Sequence, residues 1–485
     1  MTIKDLNPKK VWNNFYSLTR IPRPSKHEQK VEAFLLEWGK EHGIDTFKDE
    51  TGNIIMRKPA TPGYEKRRGV IIQGHMDMVP QKTNDTVHDF LTDPIETQII
   101  DGWVGAKGTT LGADDGIGVA IGMTVMEDEN LKHGPLEVLV TYDEETGMTG
   151  ATMLKPGVLK GDILLNLDSE EEGELCIGCA GGLDAIADFS YETEKTPSGY
   201  AALLIEVKGL QGGHSGMDIS LYRANANKVA ARILLDLITK YGAKLADFHG
   251  GNMRNAIPFE AKLTVLVPAD KKAAAAEEAK AVFALEKAEH SYSDPKMLIL
   301  VDDVETPASY IDDKTALRAV KAIMVCPNGV IRMSDSMPGL TETSTNLAIV
   351  STTGGHLTIH SLMRSSIDSA KANLAQSMQC LFELAGASFK TEGGYCGWVP
   401  KPETPVYQVI KDTYKSLFGK EIKVTATHGG LECALLGAKY PEWEMVSIGP
   451  TIVHPHSPDE RVNIESVGKA YEFVAKFLEN VPLKK

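Results

Sequence analysis

Short apolar runs alternate along the chain with longer segments in which hydrophobic residues recur at helical spacing. Apolar runs bounded by turn-forming residues, such as Val70-Ile71-Ile72, predict buried β-strands. Residues 8–43 instead predict two helices, which are interrupted at Ile21-Pro22-Arg23-Pro24-Ser25. Because strands separated by helical segments are typical of an α/β sheet, the first part of the chain predicts an α/β fold.

Three of the predicted strands end in histidine or acidic residues. Val70-Ile71-Ile72 leads into Gly74-His75-Met76-Asp77, residues 136–142 lead into Asp143-Glu144-Glu145, and residues 163–167 lead into Asp168. The carboxyl edge of an open α/β sheet is the usual place for a ligand, so we expect these side chains to lie together there. Taken one at a time, each of them also fits an ordinary polar turn.

The pattern changes at about Gly182. Residues 224–241 and 271–288 predict helices, and Thr352-Thr353-Gly354-Gly355 predicts a hairpin because apolar runs flank it on both sides. Strands joined by hairpins, combined with long helices, indicate a separate α+β domain. Toward its carboxyl end the chain returns to short α/β elements.

Composition describes a large globular protein and argues against several kinds of partner. The 485 residues are 42% hydrophobic and 24% charged, which predicts about two or three domains. A net charge of −15 argues against nucleic acid or an anionic membrane as a partner. No apolar run approaches the ~20 residues of a membrane span, and the N-terminal stretch lacks the apolar core of a signal peptide. Six cysteines do not indicate a disulfide framework, so we expect a cytoplasmic protein in which Cys176 and Cys179 are buried thiols.

One set of side chains has the composition of a metal site. Two imidazoles and three carboxylates suit zinc, manganese or cobalt(II) better than calcium or magnesium, which prefer oxygen ligands alone. Such a set exceeds the need of one tetrahedral zinc ion and fits two cations that share a bridging carboxylate. Cations of this kind lower the pKa of water, which then becomes a nucleophile near neutral pH. The candidates are His75, Asp114, Glu145, Asp168 and His456.

Two more acidic residues complete the predicted chemistry. Glu144 lies next to the candidate ligand Glu145, where it can take a proton from water and return it. Asp77 lies two residues after His75 and is well placed to accept a hydrogen bond that orients the imidazole. Together these residues have the chemistry of a hydrolytic centre, although polar residues at strand ends are also common without one.

Two glycine-rich stretches are typical of other functions and are set aside. The glycines around Gly116 invite comparison with a dinucleotide-binding loop, but their spacing differs and no strand leads directly into them. A helix whose first turn carries Asp114 and Asp115 is favoured instead, because carboxylates are stabilised there. The sequence around Ser215 nearly forms a nucleophile elbow, but Met217 occupies the final glycine position, so Ser215 is not predicted to be a nucleophile.

Five ordered motifs resemble those of the M20 family of di-zinc metallopeptidases, and the match is closest to its cytosolic dipeptidases. They are His75-Met76-Asp77, Gly112-Ala113-Asp114-Asp115-Gly116, Asp143-Glu144-Glu145-Thr146-Gly147, Asn166-Leu167-Asp168-Ser169 and His456-Ser457-Pro458-Asp459-Glu460. The resemblance covers essentially the whole chain. It implies an α/β catalytic domain, a mixed sheet flanked by helices, made of residues 1–182 and 397–485. It also implies an inserted α+β domain at residues 183–396 that acts as a lid and mediates homodimerisation.

The resemblance implies a role for each ligand of two Zn²⁺ ions, with Co²⁺ or Mn²⁺ as alternatives. Asp114 bridges the ions, His75 and Asp168 complete one site, and Glu145 and His456 complete the other. The neighbouring residues Asp115 and His454 are not ligands in this alignment. The sequence alone does not choose between each of them and its neighbour.

Catalytic and substrate-binding residues follow from the same resemblance. Glu144 is implied to be the general base and then the acid that protonates the leaving amine, while Asp77 orients His75. His214 is implied to bind the carbonyl oxygen or the oxyanion, in its own or in the partner subunit's site. The positions implied to hold the substrate are Asn255 and Arg364 in the lid and Gly430 in a loop of the catalytic domain.

The predicted activity is metal-dependent hydrolysis of unblocked L-dipeptides, including Xaa-His. A related amidohydrolase acting on N-acyl amino acids is the first alternative. A catalytically inactive metal-binding or assembly protein on the same fold is the second, although every ligand and the base are present.

Overall fold

A computed structural model describes residues 2–484, which form two compact units. The first unit contains the residues up to Gly178, the segment Trp398–Ala426 and the residues from Leu431 onward. The second unit contains Cys179–Gly397 and Thr427–Gly430. In sequence, the second unit therefore interrupts the first.

The first unit is built on an eight-stranded mixed sheet, which confirms the predicted fold class. The central strands run parallel to one another, and antiparallel strands lie outside them. In spatial order the strands are Asp45–Lys48, Ile54–Lys58, Leu136–Thr141, Val70–His75, Ile163–Asn166, Glu444–Ser447, Glu174–Cys179 and Lys423–Thr427. A second, four-stranded sheet consists of Ile452–Val453, Arg461–Asn463, Trp103–Ala106 and Thr97–Ile100.

The innermost strands, Leu136–Thr141 and Val70–His75, are buried at every position. Strands buried on both faces need helical cover, which explains their continuous apolar runs. The helices of this unit are Lys9–Thr19, Gln29–Glu41, Ala113–Glu127, Glu144–Gly147, Thr149–Met153, Pro405–Phe418, Glu432–Lys439 and Ile464–Asn480, with a 3₁₀ turn at Ile3–Asp5. Within residues 2–484, no helix has the length and apolar character needed to cross a membrane.

The parallel strands of the first sheet end along one edge. His75 pairs in register with Thr141, and Gln73 pairs with Asn166. Segments that follow these strands therefore leave the sheet side by side. This register is what brings residues from distant parts of the sequence to one place.

The second unit contains a nine-stranded antiparallel sheet. The predicted hairpin is confirmed, because Thr341–Thr353 and His356–Ser365 pair antiparallel across Gly354-Gly355. The other strands of this sheet are Leu298–Val304, Tyr200–Lys208, Ala261–Pro268, Lys244–Gly250, Gly181–Ser190, Ser388–Glu392 and Gly329–Met333. Two small sheets pair Thr193–Lys195 with Ser309–Ile311 and Gly213–His214 with Ala256–Ile257. The helices are Ala226–Tyr241, Lys272–Glu289, Asp313–Val325 and Asp368–Ala385, with 3₁₀ turns at Ile219–Leu221 and Ala269–Lys271.

The helix predicted around Asp114 differs from the structure at its first turn. It spans Ala113–Glu127, but Asp114 and Asp115 have non-helical backbone angles. The Oδ1 atom of Asp115 accepts a hydrogen bond of 3.1 Å from the backbone N–H of Gly118, as an N-cap carboxylate does. Regular helix therefore starts after Asp115, and the backbone of Asp114 lies outside it.

Candidate active site

Side chains from five parts of the first unit meet at the carboxyl edge of its sheet. The Nε2 atom of His75 lies 3.1 Å from Oδ1 of Asp114 and 3.4 Å from Oδ1 of Asp168. The Nε2 atom of His456 lies 3.0 Å from Oδ2 of Asp114 and 3.0 Å from Oε2 of Glu145. The two oxygens of Asp114 therefore face two different imidazoles, and each imidazole faces one further carboxylate.

Strand ends place three of these side chains. His75 is the last residue of Val70–His75, and Asp168 lies two residues beyond the strand that ends at Asn166. Glu145 lies in the short helix Glu144–Gly147, directly after the neighbouring strand. His456 lies in a loop, where its φ of 60° is in the left-handed region that side chains other than glycine seldom adopt. Tertiary contacts must hold such a residue in place.

The electrostatics of this cluster fit a cation. Glu145 carries a buried Oε1 atom with no hydrogen-bond partner within residues 2–484. Burial raises the pKa of Asp168 to about 7, and hydrogen bonds to Asp114 and Glu145 raise the pKa of His456 to about 11. Buried carboxylates are costly unless positive charge balances them. Imidazole and carboxylate donors together suit zinc, manganese or cobalt(II).

Asp77 links His75 to the segment that carries Glu144. One oxygen of Asp77 accepts a hydrogen bond of 3.0 Å from the backbone N–H of Glu144, and the other accepts one of 3.2 Å from that of Glu145. Its Oδ1 atom also lies 3.3 Å from Nδ1 of His75. A carboxylate at Nδ1 favours the tautomer in which Nε2 is free to bind a cation.

Glu144 occupies the environment expected of a general base. Burial raises the pKa of Glu144 well above its ordinary value, and His75 opposes this shift while Asp168 adds to it. A carboxylate with a raised pKa is a better proton acceptor at neutral pH.

The structure distinguishes Asp114 from its neighbour Asp115, and His456 from the nearby His454. Asp115 is buried and accepts hydrogen bonds from the backbone N–H groups of His75 and Gly118, so its carboxylate serves the local backbone. His454 is exposed, and its carbonyl oxygen accepts a hydrogen bond from Ser457 Oγ. Within residues 2–484, Asp115 forms no ion pair with the imidazole of His75 or His456, and His454 forms none with Asp114, Glu145 or Asp168.

Sequence reasoning missed two buried acidic residues, Glu28 and Glu432, and Glu28 lies beside the predicted residue Asp77. Glu28, Asp77 and Asp143 bring one carboxylate oxygen each within 4.8 Å of one another. Burial raises the pKa of Glu28 to about 7, so this carboxyl group can retain a proton near neutral pH. Glu432 is also fully buried, and its Oε2 atom accepts two hydrogen bonds of 2.6 Å. No local pattern marks Glu28 or Glu432, because an isolated glutamate usually lies on a solvated surface.

In the second unit, hydrogen bonds select one tautomer of His214. Its Nδ1 atom accepts hydrogen bonds of 3.3 Å and 3.1 Å from the backbone N–H groups of Gly216 and Met217. Burial and the charge of Arg364 lower the pKa of His214, which favours the neutral imidazole. In that state the proton lies on Nε2, which is available as a hydrogen-bond donor.

Arg364 is buried in the second unit without an acidic partner. Its Nε atom donates to Oγ of Ser215 at 3.3 Å, and its Nη1 atom donates to Oη of Tyr395 at 3.2 Å. No carboxylate of residues 2–484 forms an ion pair with it. A buried guanidinium in this state is suited to bind an anionic group from outside the chain.

The two remaining predicted residues lie on loops of the second unit. Asn255 is exposed, and its backbone carbonyl accepts a hydrogen bond of 2.8 Å from the N–H of Ser215. Gly430 belongs to Thr427–Gly430, which forms part of the second unit. The carbonyl oxygen of Gly429, its neighbour, accepts a hydrogen bond from the N–H of Ala180.

His428 is a buried histidine that was not predicted from the sequence. Its lowered pKa predicts that the folded protein becomes less stable in acid. The Nε2 atom of His428 lies 2.7 Å from Oγ of Ser344. Burial, with a further contribution from Arg364, lowers the pKa of His428 from 6.5 to about 3. Below pH 6.5 the unfolded chain therefore gains a proton that the folded chain does not bind, and the free energy of unfolding falls with pH.

We expect the variant His428→Gln to lose part of this acid sensitivity. Between pH 7 and 5, its free energy of unfolding should fall by about 2 kcal/mol less than that of the unchanged protein. Denaturant unfolding at both values measures this difference, and the exposed His249→Gln provides a matched control. Equal acid sensitivity in the His428 variant and the unchanged protein would contradict the prediction.

Comparison with known proteins identifies the family. The sequence model of Peptidase family M20/M25/M40 matches residues 71–480. Over 482 residues, which are 99% of each chain, this protein is 44% identical to the cytosol non-specific dipeptidase of Escherichia coli (strain K12). The crystal structure of an aminoacylhistidine dipeptidase from Vibrio alginolyticus is 43% identical, with a TM-score of 0.92 over 100% of this chain and 99% of that one. The aminopeptidase PepT from Bacillus cereus shares the fold, with a TM-score of 0.56 and 17% identity over 98% of this chain and 99% of that one. The family match over most of the chain and the identity along its full length establish that this protein belongs to peptidase family M20/M25/M40.

Proposed function

We propose that this protein is a metallo-dipeptidase that hydrolyses unblocked L-dipeptides, including Xaa-His. The observation that carries the proposal is the pair of imidazoles that face opposite oxygens of Asp114. That arrangement lies in a chain with full-length similarity to a dipeptidase of Escherichia coli and to an aminoacylhistidine dipeptidase of Vibrio alginolyticus.

The residues of the cluster fit two transition-metal cations, and Zn²⁺ is the predicted metal, with Co²⁺ or Mn²⁺ as alternatives. Asp114 would contribute to both positions, with His75 and Asp168 at one and Glu145 and His456 at the other. When bound, such a pair polarises the substrate carbonyl group and lowers the pKa of water.

The chain itself supplies the proton transfers and the orientation. Glu144 takes a proton from the attacking water and delivers it to the nitrogen of the leaving amine. Burial raises the pKa of Glu144, and a carboxylate with a raised pKa is a stronger proton acceptor in the first of these steps. The Oδ1 atom of Asp77 contacts both the backbone N–H of Glu144 and Nδ1 of His75, so it fixes the position of one relative to the other.

Two residues of the second unit are proposed to bind the substrate through charge and hydrogen bonding. The Nε2–H group of His214 is suited to donate to the carbonyl oxygen, on which negative charge develops during the reaction. Arg364 is suited to bind the terminal carboxylate of a dipeptide. Asn255 and Gly430 remain predicted substrate-binding residues, and the second unit remains the predicted lid and homodimerisation domain, from about residue 183 to 396.

The test of the proposed function compares one peptide in three forms. We expect the metal-loaded protein to hydrolyse a free Xaa-His dipeptide and to hydrolyse its N-acetylated form poorly. The same peptide with an amidated carboxyl end should also be a poor substrate. A preference for the N-acetylated form would favour an amidohydrolase of N-acyl amino acids, and failure on a panel of free dipeptides would contradict peptidase activity.

The variant Arg364→Ala should separate binding of the terminal carboxylate from the rest of the reaction. Loss of a charge-assisted hydrogen bond of about 1.5–3 kcal/mol predicts a fall of about 10- to 100-fold in kcat/KM for the free dipeptide. The amidated dipeptide should change much less, because its uncharged end gains little from the guanidinium group. Steady-state kinetics on both peptides measure this contrast, and an equal fall for both would contradict the role.

A further inference from the structure

We propose that Glu460 is a positioning residue that holds the two imidazole sites of the proposed metal centre in register, an inference that rests on the proposed function. Glu460 is only 3% exposed and lies four residues after His456. Its carboxylate does not belong to the cluster of ligands. It binds the backbone of the segment that carries Asp114.

The carboxylate of Glu460 accepts hydrogen bonds from four consecutive backbone N–H groups. Its Oε2 atom accepts from Leu111 at 2.7 Å and from Gly112 at 3.0 Å. Its Oε1 atom accepts from Ala113 at 2.7 Å and from Asp114 at 3.3 Å. These four hydrogen bonds join residues that are 346 or more positions apart in sequence.

A hydrogen-bonded turn at residues 454–460 connects Glu460 to His456. Oγ of Ser457 donates to the carbonyl oxygen of His454 at 2.8 Å and accepts from the N–H of Asp459 at 3.2 Å. The N–H of Glu460 donates to the carbonyl oxygen of Ser457 at 3.0 Å. Since both His456 and Glu460 lie on this turn, fixing the carboxylate against residues 111–114 also fixes where the imidazole of His456 meets Asp114.

Arg23 braces the other side of the same segment. This fully buried guanidinium donates to the carbonyl oxygen of Gly112 through Nη2. Through Nη1 it donates to the carbonyl oxygens of Met76 and Asp77, which directly follow His75. A Cβ atom at Gly112 would lie 2.6 Å from Nη2, and one at Gly116 would lie 2.5 Å from it. The glycines of this motif therefore admit the arginine, which accounts for them without a bound nucleotide.

Arg23 and Glu460 each position one of the two imidazoles relative to Asp114. Arg23 connects the Asp114 segment to the His75 segment, and Glu460 connects it to the His456 turn. Loss of the Glu460 carboxylate should therefore weaken the site formed with His456 and Glu145. The site formed with His75 and Asp168 should change little, because Arg23 still holds it.

The test is a Zn²⁺ titration of the full chain against a chromophoric chelator. We expect the unchanged protein to bind two ions and Glu460→Gln to bind one of them about 10- to 100-fold more weakly, as for other residues that orient metal ligands. Excess Zn²⁺ should restore much of the kcat lost in the variant, which a general structural defect would not permit. The variant Glu442→Gln changes an exposed carboxylate elsewhere in the same unit, so it serves as the control and should bind both ions normally.

Unchanged affinities for both ions in folded Glu460→Gln would overturn the proposal, whereas absence of metal binding in the unchanged protein would overturn the proposed metal centre instead. If the Gln variant does not fold, Glu460→Asp keeps the charge and shortens the reach, and the same weakening is expected. Hydrogen exchange of the unchanged, metal-free protein gives an independent outcome. Fast exchange of the amides of residues 111–114 would contradict the attachment.

Discussion

The variant Glu144→Ala should lose dipeptidase activity almost completely while it keeps its bound metal. Glu144 is proposed to carry the proton from water to the leaving amine, and removal of a general base typically lowers kcat by about 10²- to 10⁴-fold. Because Glu144 is not one of the proposed ligands, the metal content should stay that of the unchanged protein. Steady-state kinetics and elemental analysis on the same preparation measure both quantities.

The control for this variant is Glu171→Ala, which removes an exposed carboxylate from the same unit. It should leave kcat within about 2-fold, since surface substitutions away from a site have small effects. Glu144→Gln should behave like the alanine variant, because an amide cannot accept the proton. Substantial kcat in either Glu144 variant would remove Glu144 as the base and direct attention to the other buried carboxylates, Glu28 and Glu432.

The variant Asp114→Asn should lose both metal and activity, whereas Asp115→Asn should keep its metal. Asp114 is proposed to share its two oxygens between both cations, and an amide supplies only one oxygen and no charge. Loss of metal-assisted catalysis costs several kcal/mol, or on the order of 10³-fold or more in kcat. Elemental analysis after dialysis and kinetics at saturating peptide measure the two effects.

The neighbouring pair makes this a sharp comparison, because the two substitutions are chemically identical. In Asp115→Asn the remaining oxygen can still cap the helix at Gly118, and the weaker bond of 3.3 Å from the N–H of His75 is lost, so the variant should fold with lower stability. It should bind both ions even if its thermal stability falls. The reverse pattern, with metal kept in Asp114→Asn and lost in Asp115→Asn, would contradict the assignment of the bridge.

Hydrophobic pattern predicted the elements that carry three of the five proposed ligands. The apolar run before His75, the run before Glu145 and the run before Asp168 are all strands of one sheet, and polar residues follow each of them. Such prediction succeeds because a buried strand must be apolar along its length, while its end meets solvent or a ligand. His456 follows no such strand, so only its motif identified it.

The residues that hold the site were not predictable from local sequence. Arg23, Glu460, Tyr395 and His428 find partners far away in the chain, and each looks like an ordinary surface residue in its own segment. The first turn around Asp114 was predicted to be helical because carboxylates favour a helix N-terminus. In the structure the regular helix starts later, because backbone groups of this turn form hydrogen bonds with the side chains of Glu460 and Arg23.

By itself, the sequence determined the alternation of strands and helices, the ligand types and the order of the motifs, because these depend on side-chain chemistry and local periodicity. Tertiary structure alone decided that Asp114 and not Asp115 faces the imidazoles, and that Glu460 fastens one ligand segment to another. The physical reason is that neighbouring aspartates have the same chemistry and differ only in backbone direction. Contacts made across hundreds of residues set that direction.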